Sequence, residues 1–161
     1  MIRYPKSEML LEAISHHFLD FRRLSVKRIM GIAFLCDWKH CIEYNSKISE
    51  AVWEIKDNWV SSGEFLLAMN FCDFLDVPST DTACSPSIIR EAVYPYKGGS
   101  TEDIVCEHIF SIMKQRTDFD FDKVILSTYP FMYSGPLDLV KVSKEYREKY
   151  DREYAQQRIS A

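Results

Sequence analysis

The chain has 161 residues, of which 47% are hydrophobic and 27% are charged, a composition typical of one globular domain. Its 24 acidic and 20 basic residues leave a formal net charge of −4, which argues against a nucleic-acid-binding surface because such surfaces usually carry a basic stripe. No apolar run approaches the ~20 residues that a membrane span requires, and no apolar segment of a secretory signal follows the first residues, so we expect neither a membrane partner nor secretion.

The first third of the chain predicts two helices. Apolar residues at helical spacing predict a first helix over about residues 7–18. Ser25 is a suitable N-cap for a second helix that runs to about Tyr44. Because this second helix is apolar on nearly all sides, we predict that it is the buried central helix of the fold.

The sequence changes character after the central helix. The stretch Val52-Trp53-Glu54-Ile55 is β-branched or aromatic apart from Glu54 and predicts a short strand. Asp57 or Asn58 is then predicted to cap a third helix that ends near Phe74. In this interpretation Trp59 begins the helix beside polar residues, and we expect it to be exposed.

The middle of the chain combines a predicted loop with a well-marked helix. Residues 76–86 are rich in Asp, Pro, Ser and Thr and predict a loop, whereas 88–96 fit either a short helix or an extended segment. The stretch Ser100-Thr101-Glu102-Asp103 has the pattern of a capping box. It predicts a helix that ends at about Arg116.

Two further helices are predicted in the last third. One leads from Asp118 to about Tyr129, and Pro130 ends it because proline disfavours helical geometry in the residue before it. The stretch Ser134-Gly135-Pro136 predicts the start of the last helix. The charged residues from Glu145 onward are expected to fray into solvent.

These elements predict a mainly α (α+β) fold. We expect a single helical domain, residues 1–161, built around the buried central helix and carrying a short β-strand or hairpin. No internal repeat and no linker divides the chain.

Asp37 lies in the middle of the apolar face of the central helix. A buried carboxylate must be hydrogen-bonded, or its burial costs several kcal/mol. We therefore interpret Asp37 first as a structural acceptor that ties a neighbouring loop or helix start to the central helix. A carboxylate at a partner surface and a general base are the alternatives.

The cysteines and histidines do not predict a metal site. Cys36 and His40 are four residues apart, as are Asp37 and Cys41, and this spacing can place two ligands on one ion. However, the sequence has no Cys-x-x-Cys motif and no second Cys/His pair four residues apart. The five dispersed cysteines instead favour reduced thiols in a cytoplasmic protein.

No other motif points to a cofactor or to catalysis. Asp118, Asp120 and Asp122 alternate like the start of a calcium loop, but Lys123 and Tyr129 stand where such a loop needs glycine and glutamate. The sequence contains no glycine-rich phosphate loop and no nucleophile beside a histidine at a known motif spacing. We expect no metal, no cofactor and no catalytic residue.

Two stretches resemble a known family. The first, from Val26 to Trp38, reads VKRIMGIAFLCDW, and the second combines Leu126-Ser127-Thr128-Tyr129-Pro130 with Leu137-Asp138-Leu139-Val140. In this order they are similar to the Lys-Leu-Leu-Tyr-Leu-Ala-Asp-like helix and the Ser-Thr-Tyr-Pro and Leu-Asp-Leu pattern of Panacea domains, the SocA-like antitoxin family. The resemblance covers about residues 24–146. The family's Gly-Pro turn after the strand is absent from residues 56–60.

The resemblance implies a function through protein binding. Panacea domains are antitoxins that neutralise a protein toxin, encoded by an adjacent gene, by direct contact, often on phages and mobile elements, and they are not known as enzymes. An adaptor or phage regulatory protein that binds a host protein or a protease is the first alternative. An unrecognised enzyme that uses Asp37 and His40 is the second.

The resemblance also identifies recurring residues, which we interpret as structural. They are matched by Asp37, Trp38, Thr128, Tyr129 and Pro130. We expect the Asp37 carboxylate and the Thr128-Tyr129 pair to satisfy each other, in which case Asp37→Asn is tolerated and Asp37→Leu lowers the melting temperature.

The partner-binding surface is predicted at the strand and the following helix start. Its anchors are Trp53, Trp59 and Phe65, together with the charged last helix, because aromatic residues dominate the energetics of protein interfaces.

Overall fold

A computed structural model of the chain describes residues 2–19, 24–73, 75–76, 88–89 and 91–160. Within them the chain forms six α-helices, five short β-strands and a 3-10 helix, so the fold is mainly α (α+β), as predicted. The helices are α1 (Pro5–His17), α2 (Val26–Tyr44), α3 (Gly63–Phe71), α4 (Thr101–Lys114), α5 (Asp118–Leu126) and α6 (Leu139–Ser160). The strands are β1 (Glu54–Lys56), β2 (Trp59–Ser61), β3 (Leu75–Asp76), β4 (Ile88–Ile89) and β5 (Gly135–Pro136), and the 3-10 helix spans Tyr129–Met132.

Helix α2 is the buried centre of the fold, which confirms the prediction. It packs against α1, α4, α5 and α6, and every residue from Ile29 to Trp38 is buried. The predicted cap is also confirmed, because the Ser25 hydroxyl accepts a hydrogen bond from the Arg28 amide at 3.1 Å. Likewise, Ser100 caps α4 by accepting from the Asp103 amide at 3.2 Å.

A hairpin replaces the predicted start of the third helix. Asp57 and Asn58 have φ angles of 54° and 60° and form the two-residue turn between β1 and β2, in which Ile55 pairs with Val60. Two positive φ angles match the twist that antiparallel hairpins require, and Asp and Asn tolerate them better than other non-glycine residues. The prediction that either residue caps a helix is therefore wrong.

Trp59 is also buried, contrary to the prediction that it is exposed. It lies on β2 with 7% of its surface accessible, and its Nε1 donates a hydrogen bond to the Lys27 carbonyl on α2 at 2.9 Å. The helix begins four residues later, at Gly63, where the Ser62 hydroxyl accepts from the Phe65 amide at 3.3 Å. It ends at Phe71, before the predicted Phe74, which lies outside the described residues.

The segment before the last helix is a strand and not a helix start. Gly135 has a φ of 75°, and Gly135 and Pro136 pair antiparallel with Ile55 and Glu54, so β5 completes a three-stranded sheet in the order β2-β1-β5. Asp138, and not Ser134, caps α6, because its carboxylate accepts from the Lys141 amide at 3.2 Å.

The last helix does not fray from Glu145. It continues to Ser160, and Arg147 Nη1 donates to the carbonyls of Cys41 and Ile42 at 2.9 and 2.7 Å. These carbonyls belong to the last turn of α2, where a cation also interacts favourably with the helix dipole.

The other boundaries are close to those predicted. Helix α5 ends at Leu126, and Pro130 lies within the 3-10 helix that follows. Residues 88–89 form β4, and residues 91–97 are irregular; the predicted loop over 77–86 lies outside the described residues. Among the helices described, none combines the length and apolarity needed to cross a bilayer.

Gly31 permits a close approach between α2 and two neighbouring elements. A Cβ atom at this position would lie 2.5 Å from Ile125 Cδ1 and 2.9 Å from Trp59 Cζ2. The indole ring of Trp59 is held by its bond to the Lys27 carbonyl, so it has little freedom to retreat.

We predict that Gly31→Ala lowers the free energy of unfolding by roughly 1–3 kcal/mol, because overpacking outweighs the gain in helix propensity. Urea denaturation measures the change. Gly63→Ala is the matched control, since a Cβ there meets nothing within 4 Å, and it should leave stability unchanged or slightly higher. Equal stability of the two variants would contradict the prediction.

Candidate functional site

The Asp37 carboxylate is a fully buried acceptor of four hydrogen bonds. Its Oδ1 accepts from the amides of Ile48 and Ser49 at 2.8 and 2.9 Å. Its Oδ2 accepts from the Ser49 hydroxyl at 2.5 Å and from Trp53 Nε1 at 2.8 Å. Asp37 therefore ties the segment after α2 to the helix itself, which confirms its interpretation as a structural acceptor.

Burial and the hydrogen-bond donors have opposite effects on the pKa of the Asp37 carboxyl. Burial raises the pKa of the Asp37 carboxyl above its ordinary value, and the hydrogen bonds from Ser49 and Trp53 oppose that rise. The expected bond to the Thr128-Tyr129 pair is wrong, because the Thr128 hydroxyl donates to the Ile125 carbonyl at 2.8 Å.

The residues predicted to bind a partner lie in the core. Trp53 and Phe65 are fully buried and pack against each other, with ring centroids 5.5 Å apart, and Trp53 also packs edge-on against Phe34 at 5.9 Å. Trp59 on β2 is also buried, against α2, with 7% of its surface accessible. The prediction of these three residues as surface anchors is therefore corrected.

The residues with metal-ligand spacing have other partners. His40 is buried, and its Nδ1 lies 2.6 Å from the Ser46 carbonyl, which can only accept, so Nδ1 carries a proton and donates. Burial and the neighbouring Cys106 thiol raise the pKa of Cys36, and burial raises that of Cys41 to about 12. Within the described residues there is no group of three or more His, Cys, Asp or Glu side chains that could hold a metal ion.

Trp38 on α2 meets residues 126–129, around the end of α5, at one concavity on the surface. It has a volume of about 560 Å³ and lies between α2, the end of α5, the 3-10 helix and α6. We call it the aromatic groove. Its lining residues are Trp38, Leu126, Ser127, Thr128, Tyr129, Phe131, Met132 and Tyr146.

The floor of the aromatic groove is a chain of aromatic rings. The Tyr146 ring centroid lies 5.6 Å from that of Trp38 and 5.4 Å from that of Tyr129. The Lys149 ammonium lies 5.8 Å from the centre of the Tyr129 ring, within the range of a cation–π contact. Pro130 is buried and is the second residue of the 3-10 helix.

The rim of the aromatic groove exposes apolar surface. Met132 is 70% exposed and Leu126 is 41% exposed. Tyr133 and Tyr150 are also exposed, and their rings pack on those of Tyr129 and Tyr146. A group of exposed large apolar side chains next to a concavity is typical of a binding surface. Sequence reasoning did not assign Leu126, Met132 or Tyr146 to a binding surface, although Leu126 begins the stretch Leu126-Ser127-Thr128-Tyr129-Pro130 that it singled out.

Comparisons of the chain with protein families, with curated proteins and with solved structures found no match. Functional inference therefore depends on the residues themselves. In the structure Trp38 and Tyr129, which are 91 positions apart in the sequence, line the same groove.

We predict that Asp37→Leu lowers the free energy of unfolding by roughly 3–5 kcal/mol, because buried donors on Ile48, Ser49 and Trp53 lose their acceptor. Asp37→Asn should cost about 1–3 kcal/mol, since each carboxylate oxygen faces two donors and an amide nitrogen cannot accept. This replaces the expectation that asparagine is tolerated.

Chemical denaturation followed by tryptophan fluorescence measures both variants. Asp151→Asn, at an exposed position of α6, is the control and should lie within about 0.5 kcal/mol of the parent. A leucine variant as stable as the control would show that the four hydrogen bonds do not hold the fold.

Proposed function

We propose that this protein is a Panacea-like antitoxin that neutralises a cognate protein toxin by direct binding, with the aromatic groove as part of its binding surface. The observation that carries the proposal is the meeting of the two resembling stretches at one open, aromatic and partly exposed surface. The resemblance supports the antitoxin part of the proposal, and the chemistry of the groove supports binding to a protein.

The aromatic groove suits a protein partner because it combines rings held in place with a flexible exposed side chain. Tyr129 and Tyr146 present large, half-buried rings, and the Tyr146 ring packs on both the buried Trp38 ring and the Tyr129 ring, so little side-chain entropy is lost on binding. Met132 on the rim is flexible and polarisable, and such a side chain adapts to the shape of a partner. A bulky apolar side chain of the toxin would fill the space between them.

Polar groups around the groove would orient the partner. The Tyr133 hydroxyl donates a hydrogen bond to the Glu145 carboxylate at 2.5 Å, and the Lys149 ammonium lies over the Tyr129 ring. A rim that mixes charges of both signs around an apolar centre is the usual composition of a protein–protein interface. The charged part of α6 would thus contribute specificity, as predicted for the last helix.

The proposal predicts the outcome of a growth assay. The open reading frame adjacent to this gene, expressed alone from an inducible promoter, should stop growth, and co-expression of this chain should restore it. Co-purification of the two proteins should then give a stable complex. A neighbour that is harmless would contradict the antitoxin function and favour an adaptor that binds a host protein.

Substitutions at the rim test the location of the surface. Met132→Ser and Leu126→Ser should each weaken toxin binding roughly 10- to 100-fold, which corresponds to about 1.4–2.8 kcal/mol at an interface anchor. Isothermal titration calorimetry with the purified toxin measures this change. Both residues are exposed, so the free energy of unfolding should change by no more than about 0.5 kcal/mol.

Val93→Ser is the matched control, because Val93 is an exposed apolar residue that does not line the groove. It should bind the toxin as the parent does. If the Met132 and Leu126 variants bind as tightly as the Val93 variant, the toxin contacts another surface.

A further inference from the structure

A second concavity lies at a different place in the fold and shares no lining residue with the aromatic groove. It has a volume of about 560 Å³ and is formed by α1, the end of α2 with the loop that follows it, residues 95–97 and the start of α4. We call it the lysine pocket, because Lys6, Lys47 and Lys97 line it from three separate segments. Its volume falls within the range of ligand-binding pockets.

The lysine pocket concentrates positive charge in a chain whose net charge is −4. Glu102 is the one carboxylate among its lining residues as the structure describes them. Lys6 and Lys97 have no carboxylate within ion-pair distance among the described residues, whereas the Lys47 ammonium donates to the Ala51 carbonyl. Two ammonium groups are therefore available to an anion.

A buried and oriented polar pair lies beside these lysines. His40 is 4% exposed, and its Nε2 lies 2.9 Å from the Thr101 hydroxyl, while its Nδ1 donates to the Ser46 carbonyl. The Thr101 hydroxyl also donates to the Glu102 carboxylate at 3.3 Å. Contacts with His40 and Glu102 together hold the Thr101 hydroxyl at the wall of the pocket.

The lysine pocket is also lined by apolar and aromatic side chains. Tyr44, Met9, Pro95 and Tyr96 line it, and the Tyr44 ring lies 5.0 Å from the His40 ring. Tyr44 and Met9 are each 38% exposed, so their apolar surfaces are open to a ligand. The pocket thus places a cationic region next to a surface on which a flat ring can stack.

We propose that the lysine pocket binds a mononucleotide, with its phosphate near Lys6 and Lys97 and its base against Tyr44 and Met9. A phosphate group carries several charge-accepting oxygens, and separate ammonium groups bind it as point charges. An aromatic base supplies the flat apolar part that the other wall of the pocket fits. This site shares no lining residue with the aromatic groove, so it is proposed separately from toxin binding.

Titration of the full chain at low salt tests the proposal. The probes are the four nucleoside monophosphates, inorganic phosphate and adenosine, followed by isothermal titration calorimetry and thermal shift. We expect at least one nucleotide to bind and to raise the melting temperature as its concentration rises. Phosphate should bind at least about tenfold more weakly than that nucleotide, and adenosine should not bind detectably.

A pair of double variants locates the site. Lys6→Gln with Lys97→Gln should weaken nucleotide binding at least about tenfold, whereas Lys56→Gln with Lys144→Gln, which removes the same charge at exposed positions outside the pocket, should change it less than twofold. Both changes lie at the surface, so both proteins should fold.

Three results would overturn the proposal. The first is no nucleotide binding at millimolar concentration. The second is binding of phosphate alone as tight as that of the nucleotide, which would leave only a phosphate site. The third is an equal loss of binding in the two double variants, which would indicate general attraction between charges. None of these outcomes depends on the growth assay, so the failure of either proposal is distinguishable from the failure of the other.

Discussion

The hydrogen bonds to the Asp37 carboxylate connect the central helix to the rest of the fold. They hold the backbone of Ile48 and Ser49 and the indole of Trp53 against α2. The Trp53 carbonyl in turn accepts from the Leu137 amide at 2.9 Å, just before α6 begins. A buried carboxylate whose donors are all supplied by one segment fixes that segment in a single position, because any other position leaves a charge or several donors unpaired.

The aromatic groove depends on this connection. Asp37 and Trp38 are neighbours on α2, and the first points into the core while the second faces the groove beside Tyr146. The path from Asp37 through Trp53 to Leu137 sets where α6 starts, and hence where Tyr146 meets Trp38. The contacts of the structural residue Asp37 thus also determine the position of the proposed binding surface.

The sequence predicts best those features that a local pattern determines. The central helix is predicted by an apolar run that is too long and too uniform for a surface helix. The cap at Ser25 is predicted by a hydroxyl before that run, and the cap at Ser100 by a hydroxyl before an acidic first turn. The role of Asp37 follows from its position on an apolar face, because burial leaves a carboxylate little alternative to hydrogen bonding.

The features that the sequence does not predict depend on contacts across the chain. Asp57 and Asn58 suit a helix cap and a hairpin turn equally, and only the pairing of β1 with β2 decides between them. The groove cannot be predicted from the sequence for a related reason. The sequence around Tyr146 predicts only a charged helix, and the packing of α6 beside the 3-10 helix is what places the Tyr146 ring against Tyr129.

The position of β5 has a consequence for the rate at which this chain folds. Helix α2 and the hairpin of β1 and β2 consist of contacts that are close in sequence, and such contacts form quickly. In contrast, Ile55 of β1 pairs with Gly135 of β5, which lies roughly 80 residues further along the chain, so completing the sheet requires closure of a long loop. We therefore expect the pairing of β1 with β5 to form late in folding, after the contacts that are close in sequence.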